Sequence, residues 1–172
     1  MATVIRGDDN FDTSIGANVV QTHVTTISNQ SLSNNTRVNI TGLTATITPK
    51  STASKIMVTV MWHGEGSLAG NQNTVFGIRR GGVDIGNSTA AGDRVVGIAI
   101  IQQGHYDANA DSTPDSCNYS YLDSPSAATP LVYTATVIGE AQTLYNNSTV
   151  ASTDAAGYER LTSSITLTEV QG

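Results

Sequence analysis

The chain has 172 residues, with 8 basic and 14 acidic side chains and a formal net charge of −6. That balance excludes functions resting on phosphate contacts, because nucleic-acid binders carry a basic stripe. Hydrophobic residues are 38% and charged ones 13%, about half the usual ~25% charged, so Ser, Thr and Asn supply most of the polar surface around one core.

In chain order, residues 1–26 are expected to form an N-terminal arm or docking segment. Arg6, Gly7, Asp8, Asp9, Asn10 and Asp12 surround little apolar material, and only residues 19–26 alternate, weakly. Residues 1–10 lack the apolar stretch of a signal peptide, and no apolar run approaches ~18 residues. A soluble chain outside the usual secretory route, with no membrane insertion, is the expectation. Residues 27–172 read as one all-β domain, since no segment shows a 3.6-residue apolar period and strand-length runs recur between Gly, Pro, Asn and Asp. Residues 37–48 place Leu43, Ala45 and Ile47 on one face and end at Pro49, which opens a turn. Residues 55–63 carry Ile56, Val58, Val60 and Trp62 on one parity. Residues 74–80 and 83–86 flank Gly81-Gly82, a primed hairpin turn. Further strands are expected at 95–102, 117–122, 131–140, 143–147 and 163–170, with a turn at Asp123-Ser124-Pro125. About nine or ten strands without a long helix predict an antiparallel two-sheet jelly-roll sandwich.

Two of these strands are apolar on both parities. Met57, Thr59 and Met61 oppose the core side of 55–63, while Val95, Ala99 and Ile101 share one parity of 95–102. One face of a sandwich sheet meets the core, so the other needs an arm, a loop or a subunit to cover it. Met57, Met61, Val95, Ala99 and Ile101 are therefore expected at an oligomer interface.

Candidate chemistry is sparse. His23, His63 and His105 lie far apart without the spacing of a local metal site. His63 and Glu65 resemble a base with its orienter, but the flanking Gly64 and Gly66 read equally well as a loop between strands, and a loop is expected there. Gly66-Ser67-Leu68-Ala69-Gly70 lacks nucleophile-elbow spacing. Cys117 has no base or positive charge nearby and reads as a packed thiol, and a single cysteine forms no intrachain disulfide. Glu65, Glu140, Glu159 and Glu169 would need to converge across a cleft to serve a glycosidase, so no enzymatic activity is expected. Asp107, Asn109, Asp111 and Asp115 set oxygen donors at alternate positions, as a calcium loop does. Ser112 stands where that loop wants Gly, and Asn118 where it wants a bidentate Glu; a polar surface loop is the competing reading. No other cofactor is expected. Arg6-Gly7-Asp8 and the sequons Asn87-Ser88-Thr89 and Asn146-Asn147-Ser148 follow from composition. Tyr106, Tyr119, Tyr121, Tyr133, Tyr145 and Tyr158, with many Asn, Ser and Thr, suit either a glycan-binding surface or the edge of a core.

The stretch Ile47-Thr48-Pro49-Lys50-Ser51-Thr52-Ala53-Ser54-Lys55-Ile56-Met57-Val58 resembles a signature of small virion-associated modules of tailed bacteriophages, cyanophages especially. Tyr121-Leu122-Asp123-Ser124-Pro125-Ser126 is similar to their turn before a strand. Ser163-Ser164-Ile165-Thr166-Leu167-Thr168-Glu169-Val170 is similar to their closing strand. The resemblance covers about residues 40–172. It implies a jelly roll of the trimeric tumour-necrosis-factor or C1q type on fibres, tail tips or capsid decorations, without catalytic residues. The expectation is a homotrimer on the virion exterior. Its arm would meet other virion proteins, and it would act either as a tail-fibre or tip module touching a host-surface glycan, or as a capsid decoration or head-fibre protein capping the shell.

Overall fold

The computed structural model describes residues 18–67, 74–90, 92–101, 114–151 and 156–171. Most of the expected arm, including Arg6-Gly7-Asp8, lies outside them, as do His105, Asp107, Asn109 and Asp111. The described residues contain eleven strands and no helix: β1 Val19–Val24, β2 Ser28–Leu32, β3 Val38–Ile47, β4 Lys55–Gly66, β5 Val75–Arg80, β6 Val83–Ile85, β7 Ala99–Ile100, β8 Asp115–Asp123, β9 Leu131–Ile138, β10 Gln142–Asn146 and β11 Ser163–Val170. They build two antiparallel sheets. The first runs β1-β11-β4-β8, with β10 taking over from β11 along the last residues of β4 and β2 flanking β10. The second runs β3-β9-β5, with β6 and β7 sharing the far edge of β5.

Strand β4 sets the pattern. Ile56, Val58, Val60 and Trp62 are fully buried, as their alternation predicts, and they face Phe76 and Ile78 of β5 and Tyr133, Ala135 and Val137 of β9 across the core. Trp62 packs 5.0 Å from the Phe76 ring and donates its indole N–H to Asn146 Oδ1 at 2.8 Å, which satisfies its one polar atom inside the core. The expected loop at Gly64–Gly66 is instead the end of β4, paired with β10: a Cβ on Gly64 would fall 2.2 Å from the Tyr145 carbonyl oxygen, so β10 approaches β4 this closely only over a glycine. In β3 a bulge reverses the parity. Between Asn39 and Thr44 β3 advances five residues while β9 advances two, and Gly42 takes φ +83°. The odd number of extra residues lets Ile40 and Leu43 both face inward. Gly81 and Gly82 take φ +56° and +86°, the primed hairpin geometry that the Gly-Gly pair predicts.

Three expectations change. Val19–Val24, inside the segment 1–26 expected to act as an arm or docking segment, is a strand that pairs residue for residue with β11 as an edge of the first sheet. The polar strand β2 was not anticipated, because Ser-Asn-Gln-Ser offers no apolar alternation. The expected strand 95–102 reduces to Ala99–Ile100 among its described residues. Ile85 sits opposite Ile78 and Ala99 opposite Phe76, so β6 and β7 are two halves of one edge strand interrupted by residues 86–98. That excursion is pinned to the sheet. Ser88 N–H donates to the Gly97 carbonyl and Ile98 N–H to that of Phe76, and the Arg37 guanidinium donates to the Val96 carbonyl.

The two ends of the sandwich differ. Connections 48–54, 81–82 and 124–130 close one end. Connections 67–74, 101–114 and 147–162 all leave from the other, where β4 ends and β8 and β11 begin.

Candidate functional site: the outer face of the first sheet

The register of four strands fixes what the first sheet shows to the outside. Val19, Thr168, Met57 and Leu122 lie side by side in one row. Gln21, Thr166, Thr59 and Ser120 form the next, and His23, Ser164, Met61 and Asn118 the third, in which Ser164 is buried. Gln21 Nε2 donates to Thr166 Oγ1 at 2.7 Å, holding the middle row. None of these side chains is a carboxylate, an ammonium or a guanidinium. Val19 is 53% exposed, Leu122 40%, and Val170, just beyond the first row opposite Lys55, 42%. Met57 and Met61 are half-buried, pliable side chains between them. Three rows across four strands, at ~4.8 Å between strands and ~3.4 Å per residue, make a flat patch of about 330 Å².

Of the five residues expected at an interface, Met57 and Met61 share this face and three do not. Ile101 is 5% exposed within the core, and Ala99 packs against that core opposite Phe76 in the other sheet. Val95 belongs to the pinned excursion rather than to any strand. Their shared parity was real only for an uninterrupted strand. Val19, Leu122 and Val170 were missed because each is a single apolar residue on a polar parity. They become neighbours only through pairing between segments far apart in the chain.

The other candidates are structural. His63 Nδ1 lies 2.8 Å from the Thr162 carbonyl, and Glu65 Oε2 accepts Val150 N–H at 2.7 Å; both hold the 147–162 connection. Buried Glu169 lies opposite Ile56, nine residues along β4 from Glu65, or about 30 Å at ~3.4 Å per residue. Two catalytic carboxylates stand ~5–10 Å apart, so this buried pair does not converge. Burial pushes the Cys117 thiol up to about 12, and its Sγ rests 3.3 Å from the Ile100 carbonyl, so it carries almost no thiolate near neutrality. Asp115, the one described member of the expected calcium loop, is buried at the start of β8 and already engaged. The described residues contain no group of three or more His, Cys, Asp or Glu able to hold a metal.

The tyrosines divide likewise. Tyr119 spans the core to donate to the Gly77 carbonyl at 2.9 Å, and Tyr133 donates to Asp123 Oδ2 at 2.7 Å. Both are buried. Tyr121 lies against Gly86, and Tyr106 is outside the described residues. Asn146 and Asn147 are buried within hydrogen-bond networks, so their sequon is closed to modification in the folded chain.

The closed end explains the three motifs. Asp123 Oδ2 accepts from Arg80 at 2.5 Å as well as from Tyr133, joining the end of β8 to the second sheet. Glu169 Oε1 accepts Lys50 N–H at 2.7 Å, and Asn18 Nδ2 donates to the Thr48 carbonyl. The turn at Pro49–Ser54 and the strands that carry Asp123 and Glu169 thus meet at the same end, where carboxylates hold tight turns. On the outside of the second sheet, Arg37 and Arg79 flank Asp84 at 3.4 and 2.7 Å. Arg37 also donates to Thr136 Oγ1 and the Val96 carbonyl, and this cluster anchors the excursion. No family model matches the chain, and no curated protein matches it.

Proposed function

We propose that this chain is a non-enzymatic structural module of a tailed-bacteriophage virion. It is displayed on the exterior as a homotrimeric jelly roll of tail-fibre or tip type and contributes to host-surface attachment. The strand pairing supports the jelly-roll reading. β1 pairs β11, β3 pairs β9, β4 pairs β8 and β5 pairs β6. Setting aside β2 and β10, the strands nest first with last and second with second-last, as one long antiparallel ribbon rolled into two sheets would. The motif resemblance supports the phage reading, because the turns it includes are those that close such a roll.

The observation that carries the proposal is the outer face of the first sheet, whose three central rows hold no carboxylate, ammonium or guanidinium on a protein of net charge −6, with Lys55 standing at the end beyond them. Depletion of charge with enrichment in Met marks the centre of a protein–protein interface. A second copy is the occupant that fits. Segment 1–17 carries Arg6 against Asp8, Asp9 and Asp12, and the three uncharged rows offer those carboxylates no counter-charge. A flat patch of about 330 Å² is too small alone for the ~800 Å² per partner of a standard interface. A closed ring resolves that shortfall, since each copy then presents both this face and a sheet edge to its neighbours.

Attachment would fall to the end from which the three long connections leave, because long loops on a rigid sandwich carry recognition. Imaging virions with the protein labelled tests the placement, and label confined to the tail is the expected result. Label over the whole capsid would overturn the tail assignment in favour of a decoration or head-fibre role. Absence from virions would overturn both.

A further inference from the structure

Among the described residues, every strand edge but two is blunted. The β3 edge carries the bulge between Asn39 and Thr44. Gln30 of β2 is tied to that bulge, donating to the Asn39 carbonyl and accepting Thr41 N–H. The β6/β7 edge is interrupted by residues 86–98. The first sheet ends differently. β1 pairs with β11 over Val19–Val24, and β8 with β4 over Asp115–Asp123, each in unbroken register and each on one side only. Neither strand contains Lys, Arg, Pro or a bulge, the devices that stop an edge from pairing. The two aspartates of β8 are buried at its ends, Asp123 in the clamp with Arg80. On β1 the inward Val20 and Val24 pack against the core yet stay half-buried. The second sheet does not take up these edges. β3 packs beneath β1 and β11 alike. β7 meets β8 through a side chain, the Cys117 thiol against the Ile100 carbonyl, and no backbone hydrogen bond between described residues joins the two strands.

We propose that β8 of one copy pairs antiparallel with β1 of the next, so that the first sheets of the assembly run into one another. This rests on the self-association reading above and names the contact that completes it. β1, β11, β4 and β8 alternate in direction, so β1 and β8 run opposite ways. A copy rotated about an axis along the strands keeps its strand directions, which sets its β1 antiparallel to the β8 beside it. With that axis on the outer side of the first sheet, the three uncharged rows of every copy face inward. The end with the long connections then points the same way in each copy. Pairing β8 with β8 of a second copy would instead make a two-fold dimer, leave both β1 edges open and build no ring. Strand addition supplies what the face lacks. A patch of about 330 Å² is small for an interface, and main-chain hydrogen bonds along a paired edge add affinity and fix the register between copies.

The test is residue-resolved hydrogen exchange of the full chain, at a concentration where sedimentation velocity shows the assembly. A strand paired on one side protects alternate amides, and a strand paired on both sides protects consecutive ones. The expected result is consecutive protection along Val19–Val24 and Asp115–Asp123. The amides that face the edge should exchange about a hundredfold more slowly than in the double variant Met57→Lys, Leu122→Lys as a folded monomer. An assembly that keeps alternate protection in both strands would overturn this inference and leave self-association through the face standing. Consecutive protection in one of the two strands, with alternation in the other, would overturn it as well, because β8 and β1 would then not be partners. A monomer at micromolar concentration would overturn the self-association reading and this inference with it.

Discussion

Asn147 is the position where one side chain holds most structure. It is fully buried and takes φ +61°, a left-handed conformation that Asn tolerates and Ala resists by about 1–2 kcal/mol. Its Nδ2 donates to the Val24 and Thr26 carbonyls at 2.8 and 3.0 Å, and its Oδ1 accepts from Ser163 Oγ at 2.6 Å. Its backbone N–H donates to the His63 carbonyl, and its own carbonyl accepts Leu161 N–H. The end of β1, the end of β4 and the start of β11 are therefore tied at one residue. Asn147→Ala removes three side-chain hydrogen bonds worth about 1 kcal/mol each and adds the backbone strain, for a loss of about 4–5 kcal/mol. In a chain of this size each kcal/mol lowers the midpoint by roughly 2–4 °C, so melting should fall by roughly 10–15 °C. Asn147→Gly removes the same bonds but relaxes the left-handed backbone, and should be about 1 kcal/mol less damaging than Ala. Urea and thermal melts of the three proteins measure both differences. A loss below about 1 kcal/mol for Ala, or Gly more damaging than Ala, would refute the reasoning.

Three further outcomes follow from the clamps and the core. Asp123→Ala leaves the Tyr133 hydroxyl buried without its acceptor and strips Arg80 of its partner. It should cost about 3 kcal/mol, while Asp123→Asn, which still accepts, recovers about half of that in urea melts. For Glu169, burial pushes the carboxyl upward. The bond from Lys50 N–H, the Lys50 charge, Asn18, and a Ser54 hydroxyl lying close without good alignment outweigh that, and hold it below its ordinary value. A lowered folded-state value means stability that is complete above the unfolded value of 4.5 and lost as pH falls through the folded one. Melting midpoints should therefore decline on acidification below that value, and less steeply in Glu169→Gln. Cys117, with its thiol pushed up to about 12, should resist a disulfide reagent at neutral pH in the native state and react at once in denaturant.

The parts of the fold that were legible in the sequence are those set by local pattern. The alternation of Ile56, Val58, Val60 and Trp62 placed β4 and its inward face, and Gly81-Gly82 placed a hairpin, because period and turn chemistry are contained in a few adjacent residues. What was not legible depends on distant segments. The apolar run from Val95 to Ile101 reads as one strand. Yet Arg37, some sixty positions earlier, holds Val96 away from the ladder by a bond between residues 59 apart in sequence. Strand β2 forms because β10 offers it an edge to pair with, not because Ser-Asn-Gln-Ser favours a strand. The candidate face was half visible: Met57 and Met61 were named from β4 alone. Val19 and Leu122 join them only when β11 and β8 fall into register on either side. The tyrosines left both a glycan-binding surface and the edge of a core open, and for Tyr119 and Tyr133 the structure gives interior pegs. Composition cannot tell these uses apart, because an aromatic ring with one hydroxyl suits both.

The most direct test of the central claim is the mass of the full chain in solution at neutral pH and micromolar concentration, beside the double variant Met57→Lys, Leu122→Lys. Both substitutions lie on the outer face of the first sheet, so the variant should stay folded, with a melting midpoint lowered only by the stabilisation that association supplied. The account predicts a trimer for the natural sequence and a folded monomer for the variant. A folded monomer for the natural sequence, or a variant that assembles as well as it does, would contradict the claim that this face binds copies of the same chain.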